Sequence, residues 1–318
     1  MLGTELTSKR NMIYKLNKFA CPECNSDFDF RNSELICKRC SARYPVINDI
    51  PRFVAQSNNQ IRTSERFGYK WQKNKNINKH YEKNFLDEIK PLDNDFFKNK
   101  TILDAGCGIG IPSYCMYAMG AKEICSFDIS NSIDIARENI NNPASLYAQA
   151  DIYKIPFRKK SFDIVVCVAV LQHLPDKKKA VDNLLDYVKP GGTLILWVYG
   201  KEGNGFVRFF VEPFRKIISR NLPISITHAI SIPLGVIFHL FAKFTKYAKL
   251  DVFLYDYLVY RGEFPLKNNI EMVFDQLLAP LSYFFTREEL ESYLKERTQN
   301  YTIRMHNGNS WTAIAKKV

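Results

Sequence analysis

Several groups of residues in this chain could do chemistry, and the first is four thiols. Cys21-Pro-Glu-Cys24 and Cys37-Lys-Arg-Cys40 are two C-x-x-C pairs with twelve residues between them. Four thiolates so spaced can close tetrahedrally on one zinc ion. The segment between the pairs, FDFRNSELI, reads as a hairpin of alternating apolar residues. A unit of under about sixty residues has little core of its own, and a metal would supply the missing stability. No further ligand suggests an open coordination position, so the zinc is expected to be structural. Two disulfides or a redox C-x-x-C are the other readings; paired knuckles favour zinc.

The second group is TILDAGCGIG, residues 101–110. Residues 101–105 read as a short apolar strand carrying Asp104, followed by Gly106, Gly108 and Gly110 at alternate positions. A strand running into spaced glycines brings backbone N–H groups against a nucleotide-like ligand. The apolar stretch EICSFDI, residues 123–129, ends near Asp128, 20 residues past Gly108. At that offset a carboxylate can accept hydrogen bonds from ribose hydroxyls. A nicotinamide dehydrogenase competes for these glycines, but it prefers G-x-G-x-x-G, and here the third glycine comes one residue early.

LDAGCGIG, FDIS, AQADIYKIPF, SFDIVVCVAVLQHLPD and VKPGGTLIL, in that order, resemble the motifs of class I S-adenosylmethionine (SAM)-dependent methyltransferases. The likeness runs from Thr101 to about Val198. It implies SAM as cofactor, held around Asp104, Gly106, Gly108 and Gly110, with Asp128 and Ile129 at the ribose. Asp151 would lie near the adenine amino group, Ile152 would pack on the ring, and Leu171 would come off the end of the fourth strand. Phe67 and Trp71, with Tyr69 between them, either fold over the cofactor as a lid or staple the segment to the sheet. His173 is either a general base on an acceptor hydroxyl or a structural residue bonded to backbone. The run through Phe53 after the second knuckle resembles the zinc ribbon found ahead of some bacterial methyltransferases.

The elements needed to position these groups alternate in α/β fashion. Helices are expected over 111–119 and 130–141, the latter with Ser130 as N-cap. Strands are expected over 146–150, 161–170 and 193–199, and the second of these is apolar enough to be buried on both faces. Thr286-Arg-Glu-Glu289 is a capping box opening a helix. Residues 301–305 and 310–315 form a closing hairpin around Asn307-Gly-Asn309. The expected fold is therefore a Rossmann-like seven-stranded methyltransferase sheet with an N-terminal zinc ribbon and a helical cap insertion. Its divisions are 1–54, ribbon; 55–100, helical linker or lid; 101–200, SAM-binding core; 201–270, cap; and 271–318, closing helix and hairpin.

The net charge of +12 sits in the flanks. Residues 1–100 carry 19 basic and 12 acidic side chains, and 201–270 carry ten and five, whereas 101–200 are neutral. Phosphates, anionic lipid or an acidic partner could face these flanks, as could water alone. Between Arg220 and Lys243 lie 22 residues without a formal charge. They read as a buried cap, an interfacial anchor with a basic collar, or a membrane span interrupted by Pro223, Pro233 and Gly235. The first twenty residues lack the apolar core of a signal peptide, and the cysteine usage fits a reducing compartment, so a cytoplasmic setting is expected, with membrane association under the anchor reading. The expected activity is methyl transfer to a small-molecule or lipid-linked acceptor, most readily at a hydroxyl, with peripheral membrane contact through 206–260. RNA methylation is a less favoured alternative, since neither a catalytic cysteine pair nor an N-P-P-[FY] tetrad is present, and a non-catalytic SAM-binding module is another.

Overall fold

A computed structural model describes residues 16–54, 68–69, 75–77, 79–217, 222–249, 252, 255–278 and 282–318. The alternating residues of the ribbon form β1 (Phe28–Arg31), β2 (Glu34–Cys37), β3 (Arg43–Ile47) and β4 (Ile50–Pro51), a consecutive antiparallel sheet. This sheet does not stand apart. Phe19 stacks on Phe157 of the core at 5.1 Å and on Phe53 at 6.1 Å. The Phe53 N–H donates to the Gln149 carbonyl (2.8 Å), and Arg52 pairs with Asp134 at 2.6 Å. Ile50 is fully buried beside Cys107, Ile133, Ala136 and Ile140, so the ribbon reaches under the glycine loop.

After α1 (Lys79–Glu88), the core runs β5 (Thr101–Ala105), α2 (Ile111–Ala118), β6 (Glu123–Asp128), α3 (Ser132–Asn139), β7 (Ser145–Gln149), β8 (Phe162–Val168), α4 (Lys177–Tyr187) and β9 (Val188–Tyr199). The cap follows as a π-helical turn (Val207–Val211), α5 (Glu212–Ile217), α6 (Ile224–Ala248), α7 (Tyr255–Gly262) and α8 (Leu266–Leu278). The chain closes with α9 (Arg287–Leu294), β10 (Thr298–His306) and β11 (Ser310–Lys317). The large sheet has the order β10-β11-β9-β8-β5-β6-β7, parallel from β7 to β9, with β11 antiparallel to both of its neighbours. The expected seven-stranded sheet with its ribbon and helical cap is thus present. The order reverses between β5 and β8, and ligands of open α/β sheets bind in the crevice at such a switch point.

Some boundaries differ from expectation. The cap does not stop at residue 270, because α8 continues to Leu278, its buried Phe274, Leu277 and Leu278 forming one apolar face. Helix α3 starts at Ser132 with Asn131 as its cap residue; Ser130, the expected cap, turns its hydroxyl to Asp128 instead. The turn at Lys189-Pro-Gly-Gly192 is absorbed into the long strand β9. The capping box at Thr286 and Glu289 and the hairpin at Asn307-Gly-Asn309 form as expected.

Candidate functional site

Beyond β5 the chain turns through Gly106, Gly108 and Gly110, with φ of +76°, +55° and +88°. A side chain at Gly106 would put a Cβ 2.4 Å from the Val170 Cγ2, and at Gly110 one 2.6 Å from the Ile140 Cδ1. Both the left-handed backbone and the close neighbours therefore demand glycine. The loop is tied to β6 by Asp128: the Gly108 N–H donates to one carboxylate oxygen (2.9 Å), and the Ser130 N–H and hydroxyl donate to the other (2.8 and 2.7 Å).

Gly106, Gly108, Asp128, Ile129, Asp151, Ile152 and His173 all line one cavity of about 1450 Å³ over the carboxyl ends of the parallel strands. Asp104, Gly110 and Leu171 do not line it. Asp104 lies one layer behind, fully buried, accepting the Ser113 hydroxyl at 2.6 Å, so it braces the loop against α2. Gly110 lets the chain enter α2 against Ile140, and Leu171 is packed into the core. Phe67 and Trp71 lie outside the described residues. His173 stands edge-on to Tyr199, ring centroids 6.1 Å apart, in the turn after β8 whose Val170 abuts Gly106.

The far wall carries groups that the sequence reading missed. Glu88, at the end of α1, faces the cavity and accepts the Asn84 amide at 2.5 Å; the Tyr260 hydroxyl donates to Asn84 at 3.0 Å. Tyr81 donates to Glu271 at 2.6 Å on the same wall. A sequence signal existed: Tyr81, Phe85 and Glu88 follow at helical spacing, so a carboxylate shares the inward stripe of α1.

Burial pushes the Glu88 carboxyl up to about 8, against the pull of the Asn84 hydrogen bond. Burial likewise pushes Asp104 up to about 7, opposed by Ser113. Both are raised carboxyls, so the folded chain holds protons that the unfolded chain releases near pH 4. Their stabilisation is present at acid pH and is lost as pH rises from about 4 to 8. The melting temperature of the ligand-free protein should fall across that window, and Glu88→Gln should flatten the fall above pH 7. An unchanged slope in that variant would contradict the assignment.

The four cysteines of the ribbon converge. Their sulfurs all lie within 4.8 Å of one another, Cys21 with Cys40 at 3.6 Å and Cys24 with Cys37 at 3.4 Å. Disulfides at about 2.05 Å are not formed. Four sulfurs each about 2.3 Å from a tetrahedral zinc would lie about 3.8 Å apart, close to the spacing found. The donor set therefore fits a structural zinc held by Cys21, Cys24, Cys37 and Cys40. Cys37 receives the backbone N–H groups of Arg39 and Cys40, both at 3.5 Å, as a metal-bound thiolate would.

The family model described as "Methyltransferase domain" (Methyltransf_11) matches residues 103–196. Over 123 residues the chain is 38% identical to the tRNA U34 carboxymethyltransferase of Nautilia profundicola, covering 36% of this chain and 39% of that protein. It is 32% identical over 140 residues to the ubiquinone biosynthesis O-methyltransferase of Pseudoalteromonas translucida, covering 38% of this chain and 56% of that one. Human N-acetylserotonin methyltransferase in complex with SAM superposes with a TM-score of 0.46 at 14% identity, over 80% of this chain and 56% of that one. The matches thus span 39% and 56% of the lengths of these two curated relatives. Residues 103–196 thus match a methyltransferase domain, of the SAM-dependent class that their motifs resemble, preceded by a four-cysteine ribbon suited to zinc. SAM is the cofactor of that class, and the residues along the glycine loop and Asp128 suit a nucleoside with a ribose.

Proposed function

We propose that this chain transfers a methyl group from SAM to a hydroxyl of an amphiphilic, lipid-linked or similarly apolar small molecule. One observation carries the reading: a single cavity runs from Gly106, Gly108 and Asp128, past a hydrogen-bonding wall at Asn84, Glu88 and Tyr260, to an apolar mouth at Phe206, Phe210, Leu234, Ile237 and Phe241. Its volume of about 1450 Å³ and its polar and apolar lining suit a molecule with a polar, hydroxylated head and an apolar tail. Among the described residues phosphate-binding cations are scarce on this wall; Arg261 is drawn away by Asn269 (2.9 Å) and the Asn268 carbonyl (3.0 Å).

SAM, when bound, supplies a methyl group on a sulfonium, which an oxygen nucleophile can take by in-line displacement. The chain's part is chiefly alignment. Asp128 and the glycine loop would fix the nucleoside, and the polar wall would present the acceptor hydroxyl. His173, in the turn that abuts the loop and on the cavity lining, would accept the hydroxyl proton as a general base. His173→Asn is expected to lower kcat about a hundredfold with KM for SAM nearly unchanged. A kcat within threefold of the parent would leave His173 a structural role.

A second reading has support in one relative's name, which describes a transferase acting on tRNA. Against it, the ribbon's cations are largely neutralised by neighbours: Arg43 by Glu34, Lys38 and Arg31 by Asp29, Arg52 by Asp134, and Arg158 of the core by Asp27 of the ribbon. The deciding experiment incubates the full chain with labelled SAM and, separately, total lipid extract and total RNA. Label and a gain of 14 daltons in a lipid-extractable species are expected; label in RNA alone would overturn the proposal.

A further inference from the structure

Helix α6 is built inside out. Its buried residues are small or polar: Thr227, Ser231, Gly235, His239, Ala242 and Thr245. They recur every three or four positions and so form one face. Gly235 lets the helix lie so close to α8 that a Cβ there would come within 2.6 Å of the Ile270 Cα. His239 is held by Asn269 at 2.8 Å. The opposite face carries Ile226, Ile237, Leu240, Phe244 and Tyr247, all exposed, and Tyr247 is 78% exposed. A helix on a water-soluble surface shows the reverse pattern. Small residues packed against neighbouring helices, with large apolar ones turned outward, are what a helix facing lipid shows.

The patch extends beyond α6. At the π-helical turn Phe206, its cap residue, and Phe209 and Phe210 within it are also exposed, Phe209 by 70%. Phe206 and Phe210 line the cavity mouth together with Leu234, Ile237 and Phe241 of α6. The exposed apolar surface therefore surrounds the opening of the site. Contiguous apolar surface of this kind marks an interaction site. Charge indicates what covers it. Residues 201–249 hold eight basic and two acidic side chains. Lys243 and Lys249 are exposed on the same helix as the apolar face.

We propose that this face docks on an anionic lipid bilayer, with Phe209, Leu240, Phe244 and Tyr247 sunk into the acyl boundary and lysines at the headgroups. The cavity mouth then opens onto the membrane, and an amphiphilic acceptor enters without crossing water. α6 is long and apolar enough to span a bilayer. Its small, polar face is instead occupied along its length by α7 and α8, whose other residues line the cavity over the parallel strands. It therefore lies in the interface plane. The opening of the cavity onto lipid rests on the proposed acceptor, but the docking itself does not.

The test is sedimentation of the full chain with vesicles of phosphatidylcholine alone or with 30 mol% phosphatidylglycerol, without SAM or acceptor. Binding to the anionic vesicles is expected, weakened at least tenfold by Phe209→Glu with Phe244→Glu, and reduced by 0.5 M salt or by Lys243→Glu with Lys249→Glu. Unchanged SAM affinity by calorimetry would show that the variants fold, since none of these residues lines the cavity. Three results would overturn the proposal: no binding of the parent to either vesicle, equal binding by the Phe variant, or a dimer that the Phe variant dissociates in place of vesicle binding. Retention on the vesicles through alkaline carbonate would overturn the interfacial placement in favour of a span. Failure of the chain to methylate any lipid would leave the vesicle result standing, so the two proposals fail separately.

Discussion

Asp128→Ala should weaken SAM binding by about a hundredfold or more, read by calorimetry on the full chain. The carboxylate holds three donors within 2.9 Å: the Gly108 N–H, the Ser130 N–H and the Ser130 hydroxyl. A hydrogen bond to a charged acceptor contributes about 1.5–3 kcal/mol. Losing one such bond to Gly108 of the loop and one to a ribose hydroxyl corresponds to about 3–6 kcal/mol, and each 1.4 kcal/mol is a factor of ten in affinity. The loss has two sources. Gly108 sits in the left-handed region, where the Asp128 bond helps hold it, and the ribose hydroxyls lose their acceptor. Asp128→Asn keeps one carbonyl acceptor and should fall between parent and alanine. Asp104→Asn should cost less than tenfold, because that side chain touches Ser113 and not the cavity. Equal losses at Asp104 and Asp128 would mean that the loop, not the ribose contact, governs affinity. An unchanged affinity in Asp128→Ala would remove the assignment of the cofactor site.

The parts of this site legible in the sequence are those dictated by backbone geometry. Gly106 and Gly110 need positive φ and room, and Asp128 ends a strand at a fixed offset, so type and spacing reveal them without a fold. The Rossmann-like order follows for the same reason, since a nearly continuous apolar run such as β8 can only be a strand buried on both faces. Asp104 illustrates the limit. Its place at the end of β5 was readable, but whether the carboxylate faces the ligand or Ser113 depends on the rotation of the side chain relative to α2. The far wall was out of reach because Asn84, Glu88, Tyr260 and Glu271 come from three helices that meet only when the cap folds over the sheet. The apolar stretch after Arg220 was visible as composition. Composition alone does not say which face of α6 turns outward; in the fold the small residues Ser231 and Gly235 pack inward.

Removing zinc should have the largest effect on stability. Treatment of the full chain with a strong chelator, or Cys37→Ser, is expected to lower the melting temperature by about 10 °C or more. A structural zinc site supplies much of the folding free energy of a unit this small. Loss of about 5 kcal/mol shifts a domain of some 150–250 residues by about 2–4 °C per kcal/mol. The effect should not stay in the ribbon. Ile50 is fully buried against Cys107 of the glycine loop and Ala136 of α3, and Arg52 is tied to Asp134. Once β4 releases, the floor of the cofactor loop loses its packing, and SAM affinity should fall with the metal although none of the four ribbon thiols lines the cavity. Metal analysis should give one zinc per chain, and reducing agent alone should leave the melting temperature unchanged, since no sulfur–sulfur bond is present. If chelation removed the zinc while SAM affinity stayed the same, the ribbon would be a separate appendage, and the packing of Ile50 beneath the loop would have no bearing on the cofactor.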